Sequence, residues 1–561
     1  MNQSVSAQAP RVAYFCMEFG LDEKLPIYSG GLGVLAGDAM KAAKDAEVPL
    51  VGIGIFWNQG YTIQSLGKDG RVVDTNQPTL REGLEPTGIE FSLKIRDKLI
   101  PVTALKCELF GSAPLYLLEP VNEVDRWLTR RLYGGNDDDR VAQEVLLGVG
   151  GVRLLRALGH EVDVYHFNEG HAAFAGLELI REEMSAGLEF FAAWKAVRRK
   201  VVFTTHTPVV AGNEVHPLSR LFEQGADIGC FTKDQLARIG GDPFGMTVAG
   251  LRLSRIANGV AQLHGETSRK MWAHIRHASP IVAITNGVHQ GTWQDGRIRN
   301  SYADTLWDAH QDLKWELIDE VERRTGVKLA VDKLLVGFAR RAATYKRADL
   351  IFGDSERLEP LLKSGKLQLV FSGKAHPKDL PGKAVIERIA QMTKRYPQSV
   401  VFLQNYDMQL GRILTRGADV WLNNPRRPME ASGTSGMKAA MNGVLNCSVL
   451  DGWWPEGCEH GVTGWQIGGG YEGDDQDAHD QQDLIRVLTQ EVIPTYYQYP
   501  HRWRQMMRSS IEMSETKFSA ARMLSEYYSK LYPSGSGLTS FDGIERTVMN
   551  SEPLVGASAA F

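Results

Sequence analysis

The segment KLLVGFARR, residues 333–341, is a short apolar run that ends in two arginines. A stretch with helical spacing of its apolar residues follows it, and the same order recurs after LQLVFSGKA (367–375), SVVFLQNY (399–406) and ADVWLNNP (418–425). Short strands that alternate with helices form a parallel sheet with helices on both faces. The sequence therefore predicts an α/β fold for this half of the chain.

The N-terminal half repeats this order less regularly, from RVAYFCMEFG (11–20) to KVVFTTHTP (200–208). Two such sheets facing each other would enclose a deep cleft. We predict an N-terminal Rossmann-like domain (1–300), a charged helical connector (301–332), a C-terminal Rossmann-like domain (333–500), a C-terminal helix (501–532) and a poorly ordered tail (533–561).

Composition excludes several classes of protein. The 561 residues include 63 Lys and Arg against 67 Asp and Glu, a formal net charge of -4, which argues against a dedicated nucleic-acid binder or a polybasic membrane protein. No run of about 18 uncharged apolar residues could span a bilayer, and the N-terminus lacks the pattern of a secretory signal. The five scattered cysteines contain no C-x-x-C pair, which favours reduced core thiols. We expect a cytoplasmic protein.

Two segments carry residues suited to anions. Arg340, Arg341, Lys346 and Lys374 follow predicted strands, at the sheet edge where α/β proteins bind ligands, and guanidinium and ammonium groups are the usual partners of phosphate. The segment YSGGLGVLAGD (28–38) places glycines between a strand and a helix, where backbone N–H groups approach an anion. Solvated charge and a tight structural turn are the respective alternatives.

A third segment, MEASGTSGMKAAMNG (429–443), leads from a Ser/Gly/Thr loop into a helix that bears Lys438. Such a loop could cradle a phosphate, and the lysine could bind an aldehyde cofactor such as pyridoxal phosphate. A capped helix with a surface lysine is the alternative interpretation.

The histidines give a weaker signal. His206 follows a predicted strand and could touch a substrate, whereas His166 and His171 with Glu169 could suggest a metal. Their spacing matches no H-E-x-x-H helix, so we interpret them as structural histidines and predict no metal site.

The segment EASGTSGMKAAMNG resembles the cofactor-lysine motif of the α-glucan phosphorylases, the glycogen, starch and maltodextrin phosphorylase family. Further matches follow in the family's order and span residues 11–530; they are SGGLG (29–33), FNEGH (167–171), THT (205–207), ANGVA (257–261), TNGV (285–288), RRAATYKR (340–347) and QNYDMQLGRIL (404–414).

The resemblance implies a GT-B fold, with an N-terminal glucan-binding domain, a C-terminal cofactor domain and pyridoxal 5'-phosphate on Lys438. The residues that it implies for the cofactor phosphate are Arg340, Gly433, Thr434 and Ser435, with Tyr406 nearby. Those implied for inorganic phosphate are Arg341, Lys346 and the N–H of Gly31. Those implied for the glucose at the cleavage site are Leu32, His206, Asn258, Glu430, Ala431, Ser432 and Gly433. Lys438, Arg341, Lys346 and His206 would be the catalytic set.

The implied reaction is the reversible phosphorolysis of a terminal α-1,4-linked glucose, which yields α-D-glucose 1-phosphate with retention. The implied partners are an α-1,4-glucan and inorganic phosphate, with a homo-oligomer possible. Ala343 and Thr344 stand where longer phosphorylases have His and Glu, and Gly436 replaces an Asn, so the chain resembles a shorter branch. We expect no phosphorylation or nucleotide control of the kind that animal enzymes carry.

Two other functions stay open. A nucleotide-sugar glucosyltransferase of the glycogen or starch synthase kind shares the GT-B fold, but it carries Lys-x-Gly-Gly where this chain has Tyr28-Ser29-Gly30-Gly31, and it lacks the SGTSGMK segment. A non-catalytic glucan-binding protein is the other alternative, and the intact Lys438, Arg341 and Lys346 argue against it.

Overall fold

The fold was taken from a computed structural model, which describes residues 9–209 and 212–534. Most of the predicted tail, 533–561, lies outside the described residues. The strands of the N-terminal half are β1 (Val12–Phe15), β2 (Leu50–Ile55), β3 (Ile63–Leu66), β4 (Val72–Thr75), β5 (Glu85–Ile95), β6 (Lys98–Cys107), β7 (Leu115–Pro120), β8 (Val164–Asn168), β9 (Val201–Thr204), β10 (Val215–His216), β11 (Phe244–Gly245), β12 (Ile256–Gly259) and β13 (Ile281–Ala283).

Nine of these strands form the first sheet, in the order β13-β12-β9-β8-β1-β2-β7-β6-β5. Neighbours are parallel from β13 to β7, as in the pairing of Val12 with both Leu50 and Val164, and β6 and β5 add an antiparallel edge. Strands β3 with β4 and β10 with β11 form two small antiparallel pairs. Strand β1 is buried throughout because both faces of the sheet are covered.

Helices cover the first sheet. They are α1 (Gly31–Asp45), α2 (Asp137–Val145), α3 (Gly151–Ala157), α4 (Phe174–Ser185), α5 (Phe190–Arg198), α6 (Leu218–Gln224), α7 (Lys233–Gly240), α8 (Met246–Leu253), α9 (Gln262–Met271), α10 (Gln290–Trp293) and α11 (Gly296–Arg299). Helix α1 begins directly after the glycine loop and is buried from Gly33 to Ala43. Gly37 permits this packing, because a Cβ there would lie 2.0 Å from the carbonyl oxygen of Gly20.

The second sheet is wholly parallel. Its strands are β14 (Leu334–Ala339), β15 (Leu367–Ser372), β16 (Val400–Leu403), β17 (Val420–Asn423), β18 (Leu445–Val449) and β19 (Gly464–Ile467), in the order β16-β15-β14-β17-β18-β19. Strands β14 and β15 are buried along their whole length, as their continuous apolar runs predict. The predicted α/β class is confirmed: the fold is mixed α/β with large parallel sheets.

The helices of this half are α12 (Leu306–Thr325), α13 (Ser355–Lys363), α14 (Leu380–Arg395), α15 (Met408–Gly417), α16 (Thr434–Met441), α17 (Trp454–Gly457), α18 (Gln476–Val487), α19 (Ile493–Gln498), α20 (Pro500–Lys517) and α21 (Ala520–Glu526). Helix α12 forms from the charged stretch between the two sheets. In the described parts of the chain, none of the helices is both long and apolar enough to cross a membrane.

The end of the described chain returns to the first sheet. Helix α20 packs on α16 beside the second sheet, and Ser514 Oγ donates to the carbonyl of Met437 at 2.8 Å. After it, the peptide N–H of Val288 donates to Phe518, and that of Ala520 donates to Val288. Met523 and Leu524 of α21 are then buried in the core of the first sheet.

Candidate active site

A cavity of about 580 Å³ is lined by residues from both halves of the chain. On the side of the first sheet the lining follows β1, β8 and β9, and on the side of the second sheet it follows β14, β15, β16 and β17. These are carboxyl ends of parallel strands, where α/β folds bind ligands. The expected convergence of polar side chains therefore occurs in one cavity.

Lys438, on the second turn of α16, is a buried lysine in the cavity wall. Its Nζ lies 3.6 Å from the centroid of the Trp293 ring, and the indole Nε1 donates to both carboxylate oxygens of Asp38 at 2.9 Å. Burial lowers the pKa of the Lys438 amine to about 8, although Asp38 opposes that shift. A sizeable fraction of the amine is therefore neutral near physiological pH, which makes it a nucleophile.

Two glycines fix the start of α16. Gly433, at the N-cap, has φ 91°, in the left-handed region that glycine adopts without strain. A Cβ on Gly436 would lie 2.6 Å from Asn446 Oδ1 and 2.9 Å from the Trp453 ring, so only glycine fits there. Packing accounts for the glycine at 436, where longer phosphorylases carry an Asn.

Arg340 and Lys346 share one carboxylate. Lys346 Nζ donates to Glu430 Oε2 at 2.7 Å, and Arg340 bonds both Glu430 and Asn423. Burial on its own raises the pKa of Glu430, but Arg340 and Lys346 lower it to about 2. Glu430 therefore stays ionised and neutralises Arg340 and Lys346, two of the cations expected to bind phosphate.

Two further cations line the same side. Arg341 lines the cavity. Desolvation by the surrounding protein lowers the pKa of its guanidinium, but the phenols of Tyr345 and Tyr61 outweigh this effect, so that the pKa is raised. Burial lowers the pKa of Lys374 to about 8, although the negative charge of Asp407 acts to raise it. The cations of this wall therefore surround a space that suits an anion.

His206 lies on the opposite wall. Its Nε2 is 2.6 Å from Asn168 Oδ1, and its peptide N–H donates to Glu169 Oε2 at 2.8 Å. Burial lowers the pKa of His206 to about 3, so the imidazole is neutral at physiological pH. Glu169, which accepts the hydrogen bond from the His206 peptide, has an unusual backbone conformation with φ 77°.

His166, in contrast, has a structural role. Its Nδ1 lies 2.9 Å from the Tyr532 hydroxyl and its Nε2 lies 2.7 Å from Thr204 Oγ1. The interpretation of His166 as a structural histidine is confirmed. His171 lines the cavity, and its buried Nδ1 has no hydrogen-bond partner among the described residues.

Glu18 organises the glycine loop, and sequence reasoning missed it. Its Oε2 accepts the N–H groups of Ser29 at 2.5 Å and Gly30 at 3.3 Å, and its Oε1 accepts the Tyr133 hydroxyl at 2.7 Å. Because Glu18 holds Ser29 and Gly30, the next residue of the loop, Gly31, faces the cavity. Glu18 lies just beyond the carboxyl end of β1, the same positional signal that singled out Arg340.

The structure brings together all the predicted site residues except Asn258. Those that line the cavity are Gly31, Leu32, His206, Arg340, Arg341, Lys346, Tyr406, Glu430, Ala431, Ser432, Gly433, Thr434, Ser435 and Lys438. Asn258 is fully buried in β12 behind the wall, where its Oδ1 accepts the Thr204 hydroxyl at 2.6 Å.

Comparison with known proteins adds an independent line of evidence. Residues 297–456 match the family model described as carbohydrate phosphorylase. The chain is 39% identical to the maltodextrin phosphorylase of Thermococcus litoralis, over 93% of this chain and 70% of that protein. It is 39% identical to the glycogen phosphorylase of Mycobacterium tuberculosis, over 94% and 71%, and 35% identical to an uncharacterized protein of Methanocaldococcus jannaschii, over 93% and 99%. The chain belongs to the carbohydrate phosphorylase family.

Proposed function

We propose that this chain is an α-glucan phosphorylase, which transfers the terminal α-1,4-linked glucose of a glucan to inorganic phosphate, reversibly and with retention, to give α-D-glucose 1-phosphate. One observation carries the proposal: Arg340, Arg341 and Lys346 converge with Lys438 in a single cavity. That number of cations suits two phosphate groups side by side.

The proposed architecture is GT-B, with a glucan-binding domain (1–300), a connector (301–332), a cofactor domain (333–500) and a C-terminal helix (501–532). The two sheets, one largely and one wholly parallel, and a cavity lined from both halves support it. In this arrangement the glucan enters between the sheets, and the cations come from the second one.

The residues of the cavity fit pyridoxal 5'-phosphate. Lys438 offers a buried amine of lowered pKa, and the buried Arg340 Nε and Ser432 Oγ have no hydrogen-bond partner among the described residues. Arg340, Gly433, Thr434 and Ser435 would hold the cofactor phosphate, with Tyr406 beside it. When bound, the cofactor supplies a phosphate whose second pKa, near 6, suits proton exchange close to neutral pH.

Inorganic phosphate would bind between Arg341, Lys346 and the N–H of Gly31. These cations stabilise negative charge on the phosphate as positive charge develops on the glucosyl residue that is transferred. Lys346 must therefore exchange its present partner, Glu430, for the phosphate, which leaves Glu430 bonded to Arg340 alone and better able to accept sugar hydroxyls.

The remaining residues would hold the glucose. Leu32, the segment 430–433 and the neutral His206 surround the space next to the cations. Because Asn168 Oδ1 accepts from its Nε2, the His206 ring is oriented before the sugar binds. Asn258 is buried behind the cavity wall, where it bonds the neighbouring Thr204. It would therefore influence the sugar only indirectly.

The deciding experiment measures glucose 1-phosphate formed from maltodextrin and phosphate, together with the absorbance of bound pyridoxal phosphate. We expect activity and a yellow protein for the wild type, and neither for Lys438→Ala, while the exposed Lys517→Ala serves as the control with both retained. Rates over a series of maltooligosaccharides then give the preferred glucan length.

Three results would contradict the proposal. Turnover of ADP-glucose without bound cofactor would identify a glucosyltransferase. Glucan binding without glucose 1-phosphate would identify a binding protein. Wild-type turnover by Lys438→Ala would refute the role of that lysine.

A further inference from the structure

A second cluster of ionisable groups lies in the wall of the cavity, away from Lys438 and the phosphate cations. It consists of Glu144 on α2, Glu214 just before β10, His216 in β10, and Arg140 one helical turn before Glu144. Glu144 is fully buried and His216 is 4% exposed, whereas Glu214 and Arg140 also reach the cavity. The proposed phosphorolysis uses none of the four.

Among the described residues, the cluster holds four unpartnered acceptor atoms against one unpartnered donor, Arg140 Nη1. Both oxygens of Glu144, Oε2 of Glu214 and Nε2 of His216 are buried and have no hydrogen-bond partner within the described chain. His216 Nε2 lies 3.5 Å from Glu144 Oε2. Buried polar atoms without a partner are rare in folded proteins, so four acceptor atoms of this kind at one point indicate a group that the protein binds there.

The charges are also unbalanced. Arg140 Nη2 lies 2.9 Å from Glu214 Oε1, and Arg140 Nε lies 3.4 Å from Glu144 Oε1. One guanidinium therefore faces two carboxylates. A bound cation or a proton shared between the two carboxyl groups would remove the imbalance.

The geometry points to the cation. One ligand atom from each of Glu144, Glu214 and His216 lies within 4.8 Å of the others. Ligand atoms on one zinc ion lie roughly 3.3 Å apart, so closing the site takes side-chain movements of about 1 Å. Arg140 contacts Oε1 of Glu144 and Oε1 of Glu214 and would orient the two carboxylates, as outer partners of metal ligands commonly do.

We propose that Glu144, Glu214 and His216 bind one divalent transition-metal ion of the zinc class. An imidazole with two carboxylates favours such ions over Mg²⁺ or Ca²⁺, which prefer oxygen ligands alone. The proposal departs from the sequence-based prediction of no metal, because residues 144, 214 and 216 follow no metal-binding motif. It does not depend on the proposed phosphorolysis.

The site has two structural consequences. The ion joins α2 to β10, two elements that contribute to one wall of the cavity, and so stiffens that wall. Because Glu214 lines the cavity, a coordination position of the ion is open to water or ligand from that side.

The test uses the full chain, purified without a histidine tag and stripped of metal with a chelator. Co²⁺ is the probe, since its visible absorption reports coordination by nitrogen and oxygen, and Zn²⁺ competes for the site. We expect one Co²⁺ per chain in the wild type, displaced by one Zn²⁺. Glu144→Gln and His216→Ala should each weaken binding at least 10-fold, while the exposed His501→Ala should not change it.

Two outcomes would overturn the proposal. The first is the absence of specific Co²⁺ binding by the wild type. A proton shared between the two carboxyl groups would then explain the unpartnered atoms of the cluster. The second is undiminished Co²⁺ binding by Glu144→Gln. The melting temperature of this isosteric variant without metal shows whether it is folded. Glu144→Gln alone decides the question if His216→Ala does not fold.

Discussion

Glu430 shows how one residue can control the charge of the proposed phosphate site. Its Oε2 bonds both Arg340 and Lys346, two cations less than 10% exposed. Glu430→Gln removes this charge and leaves the cations partly uncompensated, a state that costs several kcal/mol in buried pairs. We expect a lower melting temperature without phosphate, and a phosphate affinity at least 10-fold higher (about 1.4 kcal/mol), because the anion replaces the carboxylate.

The measurement is the rise in melting temperature with phosphate concentration. Glu456→Gln is the control, since that carboxylate is half-buried but binds Gln262 and Thr285 instead of cavity cations. An equal or smaller rise in Glu430→Gln than in the wild type would mean that Glu430 does not compete with phosphate.

The types of the site residues were predictable, but their pairings were not. Arg340, Arg341 and Lys346 follow a strand of readable apolar pattern, and the edge of a parallel sheet brings such residues together. The contact of Glu430 with two of these cations depends on side chains 84 and 90 positions apart, for which spacing gives no signal. Asn258 stands behind the wall for the same reason: its burial follows from sheet packing, not from local sequence.

At the level of elements, the hairpin β3–β4 links the first half of the chain to the second sheet's side of the cavity. Gln64 Nε2 donates to the carbonyl of Ala375 at 2.7 Å, and the N–H of Ala375 donates back to Gln64 Oε1 at 2.8 Å. Lys383 Nζ pairs with Asp74 at 2.5 Å. Ala375 lies between Lys374 and His376, which both line the cavity, so the hairpin holds that lining segment.

Gln64→Ala should therefore loosen residues 374–376. It leaves two buried backbone groups of Ala375 unpaired, at a cost of about 1–3 kcal/mol each. We expect hydrogen exchange at the Ala375 amide to speed up at least 10-fold, while Asp69→Ala, near the exposed turn of the same hairpin, leaves it unchanged. Unchanged exchange in Gln64→Ala would show that the hairpin does not hold this segment.

The parallel elements were predictable and the antiparallel ones were not. Strands such as β14 have continuous apolar runs followed by helical spacing, and both signals are local. Strands β5 and β6 add the antiparallel edge through a turn at Arg96 and Asp97, with φ 50° and 58°. Hairpin turns with two positive φ angles usually carry Asn-Gly or Asp-Gly, so an Arg-Asp pair gives no turn signal.

At the scale of the whole molecule, the last described residues, up to 534, return to the core of the first sheet. Helix α21 packs against α1 of the first sheet, and Arg255 donates to the carbonyls of Leu531 and Tyr532. The return crosses from α20, which packs beside the second sheet, through the bonds of Val288 with Phe518 and Ala520. The C-terminal helices therefore connect the two sheets in addition to α12, and the first core is incomplete without them.

Leu524→Ala tests this connection. Leu524 is 2% exposed within the first core, so the substitution should lower the free energy of unfolding by about 2–5 kcal/mol. Leu99→Ala, at a position 67% exposed, is the matched control and should change it by less than about 0.5 kcal/mol. Denaturant unfolding gives both values, and hydrogen exchange locates the loss. Because α21 packs on the first sheet, exchange should rise in β1 and β12 and stay unchanged in β14 and β15; a rise confined to the second sheet would contradict the assignment of α21 to the first core.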